Sequence, residues 1–415
     1  MAAEPENMRV LIVAPNISRR MGGEAVIPFH YVRELSALGV EAHALTHARV
    51  REELEAEPSL DPSRIHFVED SSAERLIYRT GRLVPASLSD ATFGMALGLL
   101  TMERLRSEAK SLVQRLDVQI VHQPTPVSPQ MPSPLDDLGA PVVIGPMNGG
   151  MNYPPAFERD YGGGAPAVVA AGRRFARLGN KVFAGKRNAV RLLAANARTR
   201  NALHQATGAT DVGILVENGV DLNLWTPAAK PPPTRLHFVF VGRLIKWKAV
   251  DILLEAFARV DGHARLSIVG DGPERAFLER LSVELGVADR VSFTGFLPQP
   301  QIRDALHDAT ALVLSSLYEC GGAVVLEAFA CARPAIATAW GGPEDYITPE
   351  TGILVKPESR TAMVEGFAAA MSRMGANPSL AETMGYAARL RAEQNFSWSA
   401  KARKMLAIYS SLVSG

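Results

Sequence analysis

Short aliphatic runs, each closed by a glycine- or proline-bearing turn and followed by a helical pattern, recur along almost the whole chain. This alternation constrains the fold more than any other feature. Met8 to Pro15 (MRVLIVAP) is the first run. Val26, Phe29, Val32, Leu35 and Leu38 then fall at spacings of three, and Gly39 supplies a helix stop. Val40 to Thr46 reads as the next strand, followed in the first half by Ile65 to Glu69, Val118 to His122, Pro141 to Gly145, Arg191 to Asn196 and Ile214 to Val216. In the second half the runs are Leu236 to Val241, Leu266 to Val269, Val291 to Phe293, Ala311 to Leu314, Pro334 to Thr338 and Gly352 to Val355. Runs this short and apolar suit strands buried on both faces of a parallel sheet, with helices as right-handed crossovers. Leu76 to Leu116 is expected to be mostly helical, with breaks near Pro85 and Gly94.

A chain of 415 residues is long for one domain. The strongest linker is Trp225-Thr226-Pro227 followed by Lys230-Pro231-Pro232-Pro233, because consecutive prolines fit neither a helix interior nor a central strand. Two doubly wound α/β domains are therefore expected, residues 1–226 and 227–398, with a terminal helix over 399–415.

The formal net charge of +1 argues against wholesale binding of nucleic acid, and no nucleic-acid-binding motif is present. Cys320 and Cys331 lie on one strand-turn-helix unit without metal-ligand spacing, which suits free thiols in a reducing compartment. The first residues lack the pattern of a signal peptide, and apolar windows such as Ala91 to Met102 fall short of the ~18 residues a spanning helix needs. The expected location is cytoplasmic, either soluble or peripheral at the inner face of a membrane. Tyr161 to Thr210 has no Asp or Glu but carries Arg173, Arg174, Arg177, Lys181, Lys186, Arg187, Arg191, Arg198 and Arg200. The 173–200 basic segment is either a solvated face or a contact for an anionic membrane or a phosphate-bearing acceptor.

Candidate chemistry centres on Ser315 to Ala328 (SSLYECGGAVVLEA). The run Ala311 to Leu314 ends there, Gly321 and Gly322 make a turn, and a helical pattern follows. Backbone N–H groups at such a helix start can face an anion. Glu319 and Glu327 flank the turn and, aimed at phosphate, would repel it. They suit the hydroxyls of a sugar and a ribose, or else they are solvated acids of an ordinary turn. Arg243 and Lys248, just after the second half's first strand, supply positive charge for a diphosphate. There is neither an Asp-x-Asp pair for a divalent ion nor a P-loop, so no metal or other cofactor is expected. In the first half, Gly22 and Gly23 follow the first strand and His122 ends a later one. Asn148, Gly149, Gly150 and Asn152 belong to a polar loop at a similar level.

The second half resembles the donor domain of retaining GT-B glycosyltransferases of family 4. The resemblance is carried by VGRLIKWK at 241–248, VGDGPE at 269–274, FTGFL at 293–297, the E-x7-E pair Glu319/Glu327, and GGPEDYI with TGILV over 341–355. The first half is similar to the acceptor domain through GGE at 22–24, DVQIVHQP at 117–124 and ENGVD at 217–221. The resemblance implies a GT-B fold, two facing Rossmann-like doubly wound parallel-sheet domains with a cleft between them and the last helix crossing back onto the first. It implies sugar transfer with retention from a nucleotide-diphosphate sugar (UDP or GDP type) to a hydroxyl of a glycan or lipid-linked acceptor. Envelope, exopolysaccharide or glycolipid synthesis would be the setting. By the same resemblance Arg243 and Lys248 clamp the diphosphate, Glu319 touches the transferred sugar and Glu327 the ribose. The backbone of Gly321, Gly322, Ala323 and Val324 faces sugar or phosphate, and that of Phe296 and Leu297 faces the base. Gly22 and Gly23 approach the diphosphate, and His122 lies near the sugar's C6. Two stretches depart from the usual pattern: Glu319-Cys320-Gly321-Gly322 stands where the family commonly has E-G-F-G, and Ala249 follows Lys248 where a glycine is usual. Alternatives are another GT-B enzyme, an epimerase or a phosphorylase, and a non-catalytic nucleotide-sugar-binding protein.

Overall fold

The computed structural model describes residues 8–71, 86–161, 177–228 and 236–413. It contains two units, one built from Met1–Gly150, Pro166–Glu217 and Lys401–Gly415, the other from Met151–Ala165 and Asn218–Ala400. Each holds one parallel sheet.

The first unit's strands are β1 (Arg9–Val13), β2 (Glu41–His47), β3 (Ile65–Val68), β4 (Ile120–Gln123), β5 (Val142–Met147), β6 (Arg191–Ala194) and β7 (Val212–Ile214). Their order across the sheet is β3-β2-β1-β4-β5-β6-β7. The second unit has β8 (His237–Val241), β9 (Arg265–Val269), β10 (Val291–Gly295), β11 (Ala311–Leu314), β12 (Ala335–Thr338) and β13 (Gly352–Val355), in the order β10-β9-β8-β11-β12-β13. The central strands are buried from end to end: β4, β5, β11 and β12 have no exposed residue. That is the burial a sheet covered by helices on both faces imposes, and it explains why these strands read as aliphatic runs. Both sheets are parallel and doubly wound, as expected from the alternation of strands and helices.

The helix before β4 runs unbroken over Ala86–Leu116, so Gly94 does not interrupt it. A glycine inside a helix costs about 1 kcal/mol, which a helix of this length carries. The expected break near Pro85 and the triple proline lie outside the described residues.

The division between units falls at Glu217–Asn218, ahead of the Trp225–Pro233 stretch where composition placed it. Hydrogen bonding explains the difference. Val220 N–H donates to the Phe396 carbonyl at 2.9 Å, and Trp398 N–H to the Val220 carbonyl at 3.2 Å. Buried Trp225 offers its carbonyl to Arg389 at 3.0 Å. Residues 218–226 are thereby knitted into the second unit.

Candidate functional site

A doubly wound sheet binds ligands beyond the carboxyl ends of its strands, where the strand order reverses. In the second unit that place is between β8 and β11. The loop after β8 carries Arg243 and Lys248, and the loop after β11 carries Glu319 to Gly322. Two bonds tie these loops together: Ser315 Oγ donates to the Lys248 carbonyl at 2.9 Å, and Leu317 N–H to the Trp247 carbonyl at 2.8 Å. Ala249 closes the β8 loop with φ of 50°, a left-handed conformation that strains a residue with a Cβ.

The two loops meet in an ion pair. Lys248 Nζ donates to Glu319 Oε2, and Ser316 Oγ donates to the same oxygen at 3.2 Å. The two charged side chains are only 16% and 14% exposed, so the pair is largely desolvated. Glu319 Oε1 accepts no hydrogen bond from the described residues. Lys248 keeps two further ammonium protons for another acceptor.

After Glu319 the chain turns through Gly322, at φ of 65°, straight into the helix Ala323–Ala330 with no side-chain cap. The turn is held from below by a second glycine pair, because Gly342 N–H donates to the Glu319 carbonyl at 2.7 Å. A methyl group at Gly342 would lie 2.4 Å from the Gly321 carbonyl oxygen and 2.6 Å from that of Cys320, so the close approach needs glycine. One turn into the helix, the Glu327 carboxylate accepts no hydrogen bond from the described residues, and burial pushes it up to about 7. Arg243 is exposed, and its guanidinium likewise makes no hydrogen bond to the described residues. Phe296 is 83% exposed, whereas Leu297 packs against Val239, Val269 and Ala309. The structure thus brings Arg243, Lys248, Glu319, Gly321, Gly322, Ala323, Val324 and Glu327 onto the adjoining loops and helix start of one switch point. Phe296 and Leu297 follow β10 at the sheet edge.

In the first unit the reversal lies between β1 and β4. Gly22 and Gly23 sit in the loop after β1 with φ of 66° and 55°. Glu24 beside them accepts the Val127 N–H of the loop after β4 at 3.1 Å, and burial raises its pKa. His122 is fully buried. Its Nε2 meets the Gly145 carbonyl at 2.6 Å and its Nδ1 the Tyr409 hydroxyl at 2.6 Å, so both ring nitrogens are engaged inside this unit. A role beside a sugar requires those bonds to open. Burial holds the imidazole down at about 4, against about 6.5 in an unfolded chain. Between those values the unfolded chain binds the extra proton, so stability is complete above pH ~6.5 and is lost as pH falls towards 4. We expect His122 to cost the first unit up to about 3 kcal/mol over that interval. Urea midpoints measured at several pH values check this, and His122→Gln flattens the slope.

The polar loop expected on the acceptor side divides between the units. Asn148 is buried, donates to Glu217 Oε1, and accepts from Thr199 Oγ1 at 3.3 Å. Gly149 N–H donates to Thr199 Oγ1 at 3.1 Å. Asn148 therefore braces its loop against the helix Ala197–Thr207 rather than facing solvent. Gly150 is exposed and ends the first unit's part of the loop. Asn152 belongs to the second unit, where its carbonyl accepts from Trp340 Nε1 at 2.9 Å. Sequence order alone concealed this transfer.

Part of the expected basic face is consumed internally. Lys186 is 3% exposed and donates to the Ser128 and Pro129 carbonyls, and burial holds its amine down at about 7. Arg191 pairs with Asp211, and Arg177 donates to the Gln205 carbonyl. Lys181, Arg187 and Arg200 are exposed. Arg173 and Arg174 lie outside the described residues. Among the described residues no helix is long and apolar enough to cross a membrane.

The family described as Glycosyl transferases group 1 matches residues 225–391. Alpha-maltose-1-phosphate synthase of Mycobacterium tuberculosis is 32% identical over 240 residues, 52% of this chain and 62% of the relative, so the match spans less than two thirds of that protein. Among solved structures, sucrose-phosphate synthase from Thermosynechococcus elongatus is similar with a TM-score of 0.66 at 20% identity, over 98% of this chain and 100% of that one. Anabaena Alr3699/HepE in complex with UDP-glucose gives a TM-score of 0.62 at 17% identity, over 98% and 100%.

Proposed function

We propose that this chain, whose residues 225–391 match the family described as Glycosyl transferases group 1, moves a sugar from a nucleotide-diphosphate sugar to a hydroxyl acceptor with retention of configuration and without a metal. The observation that carries the reading is the convergence at the β8/β11 switch point of two cations, a helix start with unfilled N–H groups, and two carboxylates with unused oxygens. As the sugar–phosphate bond breaks, negative charge grows on the β-phosphate. Arg243, the two spare protons of Lys248 and the N–H groups at Gly322 to Val324 stabilise that charge more than they stabilise the intact donor. Glu319 Oε1 accepts from a hydroxyl of the transferred sugar, and Glu327 accepts from the ribose. UDP-glucose bound to the similar Anabaena fold supports a nucleotide sugar as donor. The acceptor is a glycan or a lipid-linked sugar in envelope or exopolysaccharide synthesis. Exposed Lys181, Arg187 and Arg200 supply a peripheral contact with an anionic membrane.

The test is release of nucleoside diphosphate from a panel of UDP-, GDP- and ADP-sugars in the presence of EDTA, with the anomeric product read by NMR. One donor is expected to turn over undiminished by chelator and to give retained product. Absence of turnover with every donor overturns the transferase reading, and abolition by EDTA overturns the metal-free one.

A further inference from the structure

The segment Met151–Tyr161 follows the first unit's Gly150 directly, yet it belongs to the second unit and touches the two loops that carry Lys248 and Glu319 as well as the loop after β12 that holds the Glu319 turn. On the β11 loop, the Tyr153 ring lies 5.2 Å from the ring of Tyr318, the residue before Glu319. On the loop after β12, Trp340 Nε1 donates to the Asn152 carbonyl at 2.9 Å. A methyl group at Gly341 would sit 2.8 Å from Met151 Cε on one side and 2.3 Å from the Glu319 carbonyl oxygen on the other, so Met151 and the Glu319 turn press on one residue. On the β8 loop, Lys246 Nζ donates to the Asp160 carbonyl at 3.2 Å and lies 5.1 Å from the Tyr161 ring centre. Lys246 is two residues from Lys248.

Three separate loops must hold register for the Lys248–Glu319 pair to keep one oxygen and two ammonium protons available. A single strap bound to all three fixes that register. We propose that Met151–Tyr161 is a positioning strap for the donor site, and that Tyr153, acting through Tyr318, is its principal positioning residue for Glu319. This rests on the transferase reading for its consequence in turnover, but not for its consequence in structure.

The test uses a reporter that needs no substrate. Cys320 is half-buried in the turn the strap holds, whereas Cys331 is buried. In the full-length protein, iodoacetamide labelling of Cys320 should quicken roughly 2- to 10-fold in Tyr153→Ala, the range an aromatic pair of this kind is worth. Trp340→Phe, which removes only the bond to Asn152, should move in the same direction. Tyr153→Phe should behave as wild type, and Cys331 should stay protected in all three. On whichever donor the enzyme accepts, Tyr153→Ala should lower kcat while UDP or GDP binding stays within about 2-fold, since a positioning residue acts on the reacting geometry rather than on nucleotide contacts. Unchanged Cys320 labelling in Tyr153→Ala and Trp340→Phe overturns the proposal, as does an equal loss of kcat and nucleotide affinity. If Tyr153→Ala exposes Cys331, Trp340→Phe decides. A wild type that turns over no donor defeats the transferase reading and leaves the labelling result standing.

Discussion

Lys248→Met lowers turnover by roughly 100- to 1000-fold, the loss expected when one preorganised group facing a developing anion is removed. The same substitution destabilises the second unit by about 3 kcal/mol, because Glu319 is left as a nearly buried, unpaired carboxylate. The two effects separate in a double variant. Lys248→Met/Glu319→Gln removes both charges, so much of the stability returns, whereas turnover stays at the level of the single variants. Denaturant midpoints and nucleoside diphosphate release on one set of four proteins check this. A double variant that regains activity together with stability would make the pair a packing device only.

Gly342→Ala produces the second large effect. Its new methyl group would stand 2.4 and 2.6 Å from two backbone carbonyl oxygens of the Glu319 turn, and backbone cannot swing aside as a flexible side chain can. Overpacking of this kind costs about 1–3 kcal/mol. The larger consequence is for Glu319, whose carbonyl is held by Gly342 N–H, because a displacement of about 1 Å at a positioned group can cost about 100-fold in rate. Gly262→Ala is the matched control. That glycine is exposed with open space around it, and the substitution stays within about 0.5 kcal/mol of wild type with full turnover.

How much of this was legible depends on how local each cause is. Ala311–Leu314 stands in the structure with the bounds its four aliphatics set, because burial on both faces of a parallel strand is written into consecutive residues. Gly322 and the helix start at Ala323 were legible for the same reason, since a left-handed turn residue and the apolar helix after it are adjacent in sequence. The pairing of Lys248 with Glu319 spans 71 residues and is fixed by the neighbouring positions of β8 and β11, which no local pattern encodes. Arg243 and Lys248 read alike in sequence, yet one is exposed and the other is held by a carboxylate. The burial of His122, with both ring nitrogens engaged, depends on Tyr409 near the far end of the chain. In Met151–Tyr161, Tyr153, Phe157 and Tyr161 are spaced at four, an aromatic stripe whose partners Tyr318 and Lys246 lie far along the chain, where no local pattern names them.

In the proposed reading the second unit binds a nucleoside diphosphate through Arg243, the Glu319 turn and Glu327. The most direct measurement is calorimetric titration of UDP, GDP and ADP, with EDTA present, in two buffers of different ionisation enthalpy at pH 7. Burial holds the Glu327 carboxyl near 7, and ribose hydroxyls donating to it favour the ionised form. One nucleotide is expected to bind and to release protons as it does so. Arg243→Ala should weaken binding, and Glu327→Gln should abolish the proton release. Binding of none of the three, or binding indifferent to both substitutions, would contradict that reading.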